Sequence, residues 1–344
     1  MDAVEIWMPR KGSAHVLEAR TTRLEPPGPG QVTVRIEAAG VAYADIAMRA
    51  GTYPGVKTPV VPGYDCVGRI VAVGHGVDGW AVGNRVAGVT VTGNYASARN
   101  VDAALLVPAP EGADAAKLVA ATLNGLTAWQ MLKRVTAPER GEWILVHGAS
   151  GGVGTLLLDL ARAAGIKAIG TSSARHRDVV ARHGAEPIDY AAGDVLAQVR
   201  AISGGGVAAA YDHIGGRHFR NLTMAALRPG GVGVLYGAYD VSRGGRFRLG
   251  ALLSLLAGGR YSPLALVGES KGIVTYLSDT MVRHRVETYR ADMAAVFARV
   301  ASGALDPVVG ACLPLERAAE AQVMLENRAV TGKIVLLPDN GDRG

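Results

Sequence analysis

The sequence predicts an α/β protein of two domains, one rich in short strands and one built on a doubly wound parallel sheet. Three observations carry that prediction. At 344 residues the chain is too long for one ordinary core and suits two. Its first third alternates short strand-like runs with Gly and Pro, the punctuation of a compact β-rich domain. From about Asp114 onward, strand-like and helix-like segments alternate, which is the rhythm of a parallel sheet covered by helices.

The elements follow in order. Pro26-Pro27-Gly28-Pro29-Gly30 is a turn signal, and residues 31–38 after it alternate polar and apolar side chains like a half-buried strand. Residues 68–74 and 83–88 are further strands between glycines, and residues 115–135 are helical in composition. Residues 143–147 form an apolar run of the kind buried on both faces. A helix is expected over 155–164, a strand over 167–171 and a helix over 178–183, with Gly165 and Gly184 ending the two helices. Strands over 207–212 and 232–236, a helix over 290–301 and a closing strand over 332–337 complete the pattern.

Composition narrows the function classes. Apolar residues make up 49% and charged residues 19%, a folded-protein balance with enough apolar surface for a large buried sheet. The net charge of +6 suits an anionic ligand such as a dinucleotide; it permits nucleic acid but does not point to it, since no Lys/Arg run is long enough for a polybasic tail. Cys66 and Cys312, the two cysteines, make no disulfide framework and no metal-binding pair, and each sits beside apolar residues as a buried thiol would. Residues 1–10 lack an apolar signal core, and the longest apolar stretch, residues 249–257, falls far short of the roughly 20 residues that span a bilayer. A cytoplasmic protein with no membrane span is expected.

Gly148-Ala149-Ser150-Gly151-Gly152-Val153-Gly154 directly follows one strand and opens a helix. Glycines let the backbone approach a pyrophosphate, and the helix N-terminus offers unpaired N–H groups and a partial positive charge. The strict GxGxxG form is broken at Ala149, yet the strand–turn–helix–strand context supports Gly151, Gly152 and Val153 as the phosphate cradle. NAD-binding units carry a carboxylate at the end of the next strand to grip the ribose 2′-OH. Here that stretch reads Ser172-Ser173-Ala174-Arg175-His176-Arg177, with no acid before Asp178. Two serines and either Arg175 or Arg177 suit a 2′-phosphate, so NADPH is favoured.

These motifs together resemble the medium-chain dehydrogenase/reductase family. Residues 40–45 and 62–68 look like its two active-site loops, 123–129 like the helix entering the cofactor domain, 184–190 and 211–216 like the zinc-free quinone oxidoreductase branch, and 331–335 like its closing strand. The resemblance implies a GroES-like β-rich catalytic domain (1–118 and 281–344) with a Rossmann NADP(H)-binding domain inserted (119–280), the active site between them, and a homodimer. Zinc-dependent relatives bind catalytic zinc at positions matching Ala42, Tyr64 and Asp65, which argues against a metal here. Without a Lewis acid, reduction of a conjugated C=C bond or a quinone is easier than alcohol–ketone interconversion. Small-molecule electrophilic acceptors are the implied substrates, and the activity is that of an NADPH-dependent quinone or enone reductase.

Tyr43 and Tyr53 are the catalytic candidates: each could put a phenol near the substrate oxygen, hold the nicotinamide ribose, or pack with its OH on backbone. Asp45 is either a general acid/base or a loop hydrogen-bond acceptor. Asn124 and Thr127 match positions that touch the nicotinamide end in relatives, Tyr190 falls near the adenosine phosphate, and Gly237 ends a strand beside the cofactor. His147 reads as a packed strand residue, and His213 as a residue able to line the cofactor cleft; neither has a partner cluster nearby in sequence. Residues 244–271, with Arg243, Arg246, Arg248 and Arg260 around Leu252-Leu253-Ser254-Leu255-Leu256, read as a lid or packing element. An enoyl reductase on a tethered or biosynthetic intermediate, and a non-catalytic nucleotide- or RNA-binding relative, are the alternatives.

Overall fold

The computed structural model describes residues 1–241, 249–258, 261 and 263–339. They form two compact units, one of residues 1–126 and 278–339, the other of residues 127–241 and 249–277. The division expected after residue 118 falls inside helix Ala115–Gln130, and that after residue 280 inside helix Ser278–His284. The change in composition near Asp114 marks the start of that first helix, and the two compact units meet in sequence after Leu126 and after Leu277.

The first unit holds β1 (Asp2–Trp7), β2 (Glu18–Arg23), β3 (Gln31–Val41), β4 (Asp65–Val73), β5 (Arg85–Val89), β6 (Ala98–Asp102) and β7 (Leu106–Pro108). The second holds β8 (Trp143–His147), β9 (Lys167–Ser172), β10 (Ala185–Asp189), β11 (Val207–Asp212), β12 (Leu227–Leu235) and β13 (Gly272–Thr275); the chain then returns to the first with β14 (Val309–Pro314) and β15 (Lys333–Leu337). In the first unit the sheet runs β14-β15-β3-β4-β5-β7, with β6 also paired to β3, and β1 and β2 form a separate antiparallel pair. Val32, Val34 and Ile36 of β3 meet Ile70, Val86, Leu106, Ile334 and Leu336 in the core, none more than 1% exposed. Each such side chain contributes about 1.5–3 kcal/mol by leaving water. Cys66 lies in this core, whereas Cys312 on β14 is exposed, contrary to its apolar neighbours. It sits on the sheet's terminal strand, where alternate side chains face solvent.

The second unit is a six-stranded parallel sheet of order β10-β9-β8-β11-β12-β13. Strand order reverses between β8 and β11, the switch point at which such sheets bind nucleotides beyond the strand C-termini. Ile144, Leu145 and Val146 are wholly buried because both faces are covered, which explains their unbroken apolar run. Helix Gly152–Ala163 buries Leu156, Leu157, Leu158 and Leu160. Residues 249–258 are helical and pack through Ser254 and Leu255 onto Gly215 and Gly216, while Leu249, Leu253 and Leu256 are exposed. Arg243, Arg246, Arg248 and Arg260 lie outside the described residues. Among the described residues, no helix is long and apolar enough to cross a membrane.

Candidate functional site

The glycine turn leaves the C-terminal end of β8 at the switch point. Gly148 has φ +65°, in the left-handed region. A Cβ on Gly154 would stand 2.6 Å from the Gly148 carbonyl oxygen and 2.7 Å from Ala149, so the helix can start this close to the strand only with glycine there. Gly151 caps the helix from an extended conformation, and Gly152, Val153 and Gly154 occupy its first turn, where no intrahelical carbonyl is available to their N–H groups. Gly151 is exposed, and Ser150, Gly152 and Val153 are half-buried, so the turn is open to an anion.

At the end of the neighbouring strand, Ser172 is buried and its hydroxyl donates to the Ser173 carbonyl at 3.1 Å. Arg175 and Arg177 follow, both exposed, with Arg177 opening helix Arg177–Arg182. The Tyr190 N–H donates to the Ser172 carbonyl (3.1 Å), which brings half-exposed Tyr190 beside the serines. His176, between the two arginines, reaches the Ser150 hydroxyl at 3.3 Å and so ties this loop to the glycine turn. Burial, with Arg175 beside it, pushes His176 below the ordinary histidine value. Asn124 and Thr127 are buried one turn apart on helix Ala115–Gln130 and share a face. Gly237 lies against the His213 backbone, where a Cβ would be 2.8 Å from the His213 oxygen. The His213 ring in turn covers Gly148 and sits near the rings of Tyr236 and Tyr239.

His147 is packed as expected, 1% exposed, but the structure gives it companions that its sequence neighbours did not reveal. Its Nδ1 is 3.1 Å from the Thr171 hydroxyl, and its ring meets that of His218 edge-on at 4.5 Å. His147, Asp212 and His218 are, among the described residues, the one group of three or more His, Cys and acidic side chains whose ligand atoms all lie within 4.8 Å of one another. Asp212 is already saturated: Oδ1 accepts from the Ile214 and Gly215 N–H groups, Oδ2 from His218 (2.8 Å) and Thr223 (2.5 Å). Burial is the largest single influence and would raise its pKa; the hydrogen bonds from His218 and Thr223, with the nearby imidazoles of His218 and His147, together outweigh it and hold the carboxyl below its ordinary range. Burial pushes His147 down to about 3, so it is neutral. These bonds fix the loop 213–216 next to the glycine turn.

In the first unit, Tyr43 opens helix Tyr43–Ala50 and Tyr53 lies in the turn beyond it. Asp45 is wholly buried and accepts from the Ala42 N–H (2.8 Å), the Gly63 N–H (3.2 Å) and the Tyr95 hydroxyl (3.0 Å). It is therefore the tie between the two loops, not an accessible acid. Burial pushes its pKa up to about 7. Tyr53 and Tyr64 are joined through their hydroxyls at 2.8 Å, and Ser278 donates to Tyr64 at 3.4 Å. Sequence reasoning treated Tyr64 only as a lost zinc ligand. Asp65 is held by Lys333, whose Nζ is 3.1 and 3.2 Å from its two oxygens, and by the Leu123 N–H. Ala42 has no ligand atom, Tyr64 is engaged by hydroxyls and Asp65 by an ammonium, so these three positions do not fit a zinc ion.

Comparison with known proteins agrees with this architecture. Residues 28–111 match the alcohol dehydrogenase GroES-like domain family, and residues 183–336 match the family described as zinc-binding dehydrogenase. The chain is 32% identical over 331 residues to a quinone oxidoreductase of Pseudomonas aeruginosa, covering 95% of this chain and 97% of that one. It is 30% identical over 337 residues to the synaptic vesicle membrane protein VAT-1 homolog of Rattus norvegicus, covering 94% and 80%. Escherichia coli quinone oxidoreductase, solved in complex with NADPH, superposes with a TM-score of 0.87 at 26% identity over 97% of this chain and 100% of that one.

Proposed function

Because the chain belongs to the medium-chain dehydrogenase/reductase superfamily, in its quinone oxidoreductase and VAT-1-like branch, we propose that it transfers a hydride from NADPH to a quinone or an α,β-unsaturated carbonyl without the help of zinc. The observation that carries this reading is the open glycine turn at the switch point of a parallel sheet. The N–H groups of Gly151, Gly152 and Val153 hold the pyrophosphate. Ser172, Ser173 and one of Arg175 or Arg177 take the 2′-phosphate, with no carboxylate there to repel it. Tyr190 lies along the adenosine phosphate, and Asn124, Thr127 and Gly237 serve the nicotinamide half. NADPH, when bound, supplies the hydride.

The remaining work is orientation and charge. Hydride addition places negative charge on the acceptor's oxygen, and a phenol of the first unit, Tyr53 before Tyr43, donates to that oxygen. No metal is assigned a part, since the residues at the zinc positions do not suit one. We also read the protein as a homodimer, for which sedimentation should give twice the chain mass. The reading is tested by steady-state NADPH oxidation against a panel of quinones and enones: turnover with members of the panel is expected, and no oxidation with any of them would overturn it. Turnover of an acyl thioester in place of free acceptors would move the substrate to a biosynthetic intermediate.

A further inference from the structure

We infer that Tyr64 is a positioning residue for the Tyr53 hydroxyl: by donating its own proton to the Tyr53 oxygen, it turns the Tyr53 O–H outward, toward the acceptor oxygen. The inference rests on the hydride-transfer reading above and adds a residue to it that the zinc-position comparison dismissed.

Tyr64 is 2% exposed, so its hydroxyl depends on protein partners. Among the described residues it has two, Tyr53 at 2.8 Å and Ser278 at 3.4 Å. Ser278 donates, and its proton occupies a lone pair of the Tyr64 oxygen. If Tyr53 also donated, the Tyr64 proton would be buried without an acceptor, a costly arrangement. The economical chain therefore runs Ser278 to Tyr64 to Tyr53. Tyr53 is only half-buried, so its own proton can find a partner outside the chain.

The frame holding this geometry is rigid. The Tyr64 carbonyl accepts from the Thr90 and Val91 N–H groups, and Tyr53 is anchored by its N–H to the Ala47 carbonyl. The two rings meet edge-to-face, with centroids 6.1 Å apart. Burial keeps the Tyr64 phenol protonated, far above its ordinary range. Burial also raises Tyr53, the Tyr64 bond opposes that rise, and the charged groups facing Tyr53 are Asp279 and Asp45, which disfavour the phenolate, and Arg283, which favours it.

As the hydride and its electron pair reach the acceptor, the acceptor oxygen takes the Tyr53 proton; the O–H bond of Tyr53 breaks and its electron pair stays on the phenol oxygen. The Tyr64 hydrogen bond stabilises that oxygen until water reprotonates it.

The test is a double-mutant cycle read by kcat, KM and NADPH binding on the full chain. Tyr53→Phe should lower kcat about 100-fold, in line with loss of a general acid, and Tyr64→Phe about 10-fold, with KM and NADPH affinity unchanged in both. Tyr64→Phe in the Tyr53→Phe background should lower kcat no further. Ser278→Ala, a smaller change that serves if Tyr64→Phe folds poorly, should cost about threefold by the same route and likewise vanish in the Tyr53→Phe background. A wild-type kcat for both Tyr64→Phe and Ser278→Ala, or drops that persist in the Tyr53→Phe background, would overturn the inference while leaving hydride transfer intact. Absence of turnover in the unaltered protein would instead remove the reading on which it rests.

Discussion

Asp45 in the first unit and Asp212 in the second are the same residue at the same burial, 0% exposed, yet their charges are governed oppositely. Asp45 meets three neutral donors, and desolvation wins, lifting it to about 7. Asp212 meets four donors, one of them the imidazole of His218, and these overcome desolvation and hold it ionised. The partners decide the outcome, because a buried carboxylate keeps its charge only where charge-assisted bonds replace the lost water. The second unit thus has one fixed charge state under a turn built of backbone, whereas the first carries an acid that titrates near neutrality between two loops.

The largest effect should come from the backbone side of this comparison. Gly154→Val puts side-chain atoms where a Cβ alone would already be 2.6 Å from the Gly148 oxygen. Nucleotide binding should weaken by at least about 100-fold, corresponding to roughly 2.7 kcal/mol, with circular dichroism retained. Unchanged binding would mean that the turn does not hold the phosphates. Asp212→Asn comes next. It leaves the bonds from His218 and Thr223 poorly matched in a buried site, and urea titration should show a loss of about 3 kcal/mol. When the urea titration is repeated as a function of pH, His147, lowered to about 3, contributes stability that is full above the ordinary histidine value and is lost as pH falls through the window below it.

Asp45 should behave in the opposite sense. Its folded pKa of about 7 exceeds the ordinary 3.8, so between those values the folded chain binds more protons than the unfolded one. Its contribution to stability therefore falls as pH rises through that window, by at most about 1.4 kcal/mol per pH unit, and levels above it. Asp45→Asn should flatten this slope; an unaltered slope would assign it to other groups. The smallest effect belongs to Cys312→Ser on the exposed face of β14, expected within about 0.5 kcal/mol, against a larger loss for buried Cys66→Ser.

Local patterns were legible from sequence, and long-range partnerships were not. Glycines 148–154 announced their turn because strand, turn and helix adjoin in the chain. The neighbours of His147 are Thr171 and Asp212, brought close by the register of β8 with β9 and β11, and His218, which lies on the short helix after β11. Tyr64 was visible merely as a residue unlike histidine; its link to Tyr53 needs the folded loops, and Ser278 lies 214 positions away. A boundary between units is hard to read for a related reason, since helix Ala115–Gln130 runs on past Leu126, where the first unit's N-terminal stretch ends, and gives no local sign of the division.

The central claim, that the second unit holds NADPH by its backbone turn and its arginine-bearing loop, is tested most directly by calorimetric titration of NADPH and NADH into the unaltered chain, Arg175→Ala and Arg177→Ala. The account predicts tight NADPH binding, weaker NADH binding, and about a 10-fold loss of NADPH affinity in one of the two variants with NADH affinity unchanged. Equal affinity for both nucleotides in all three proteins would contradict the 2′-phosphate site, and no binding of either would contradict the cofactor itself.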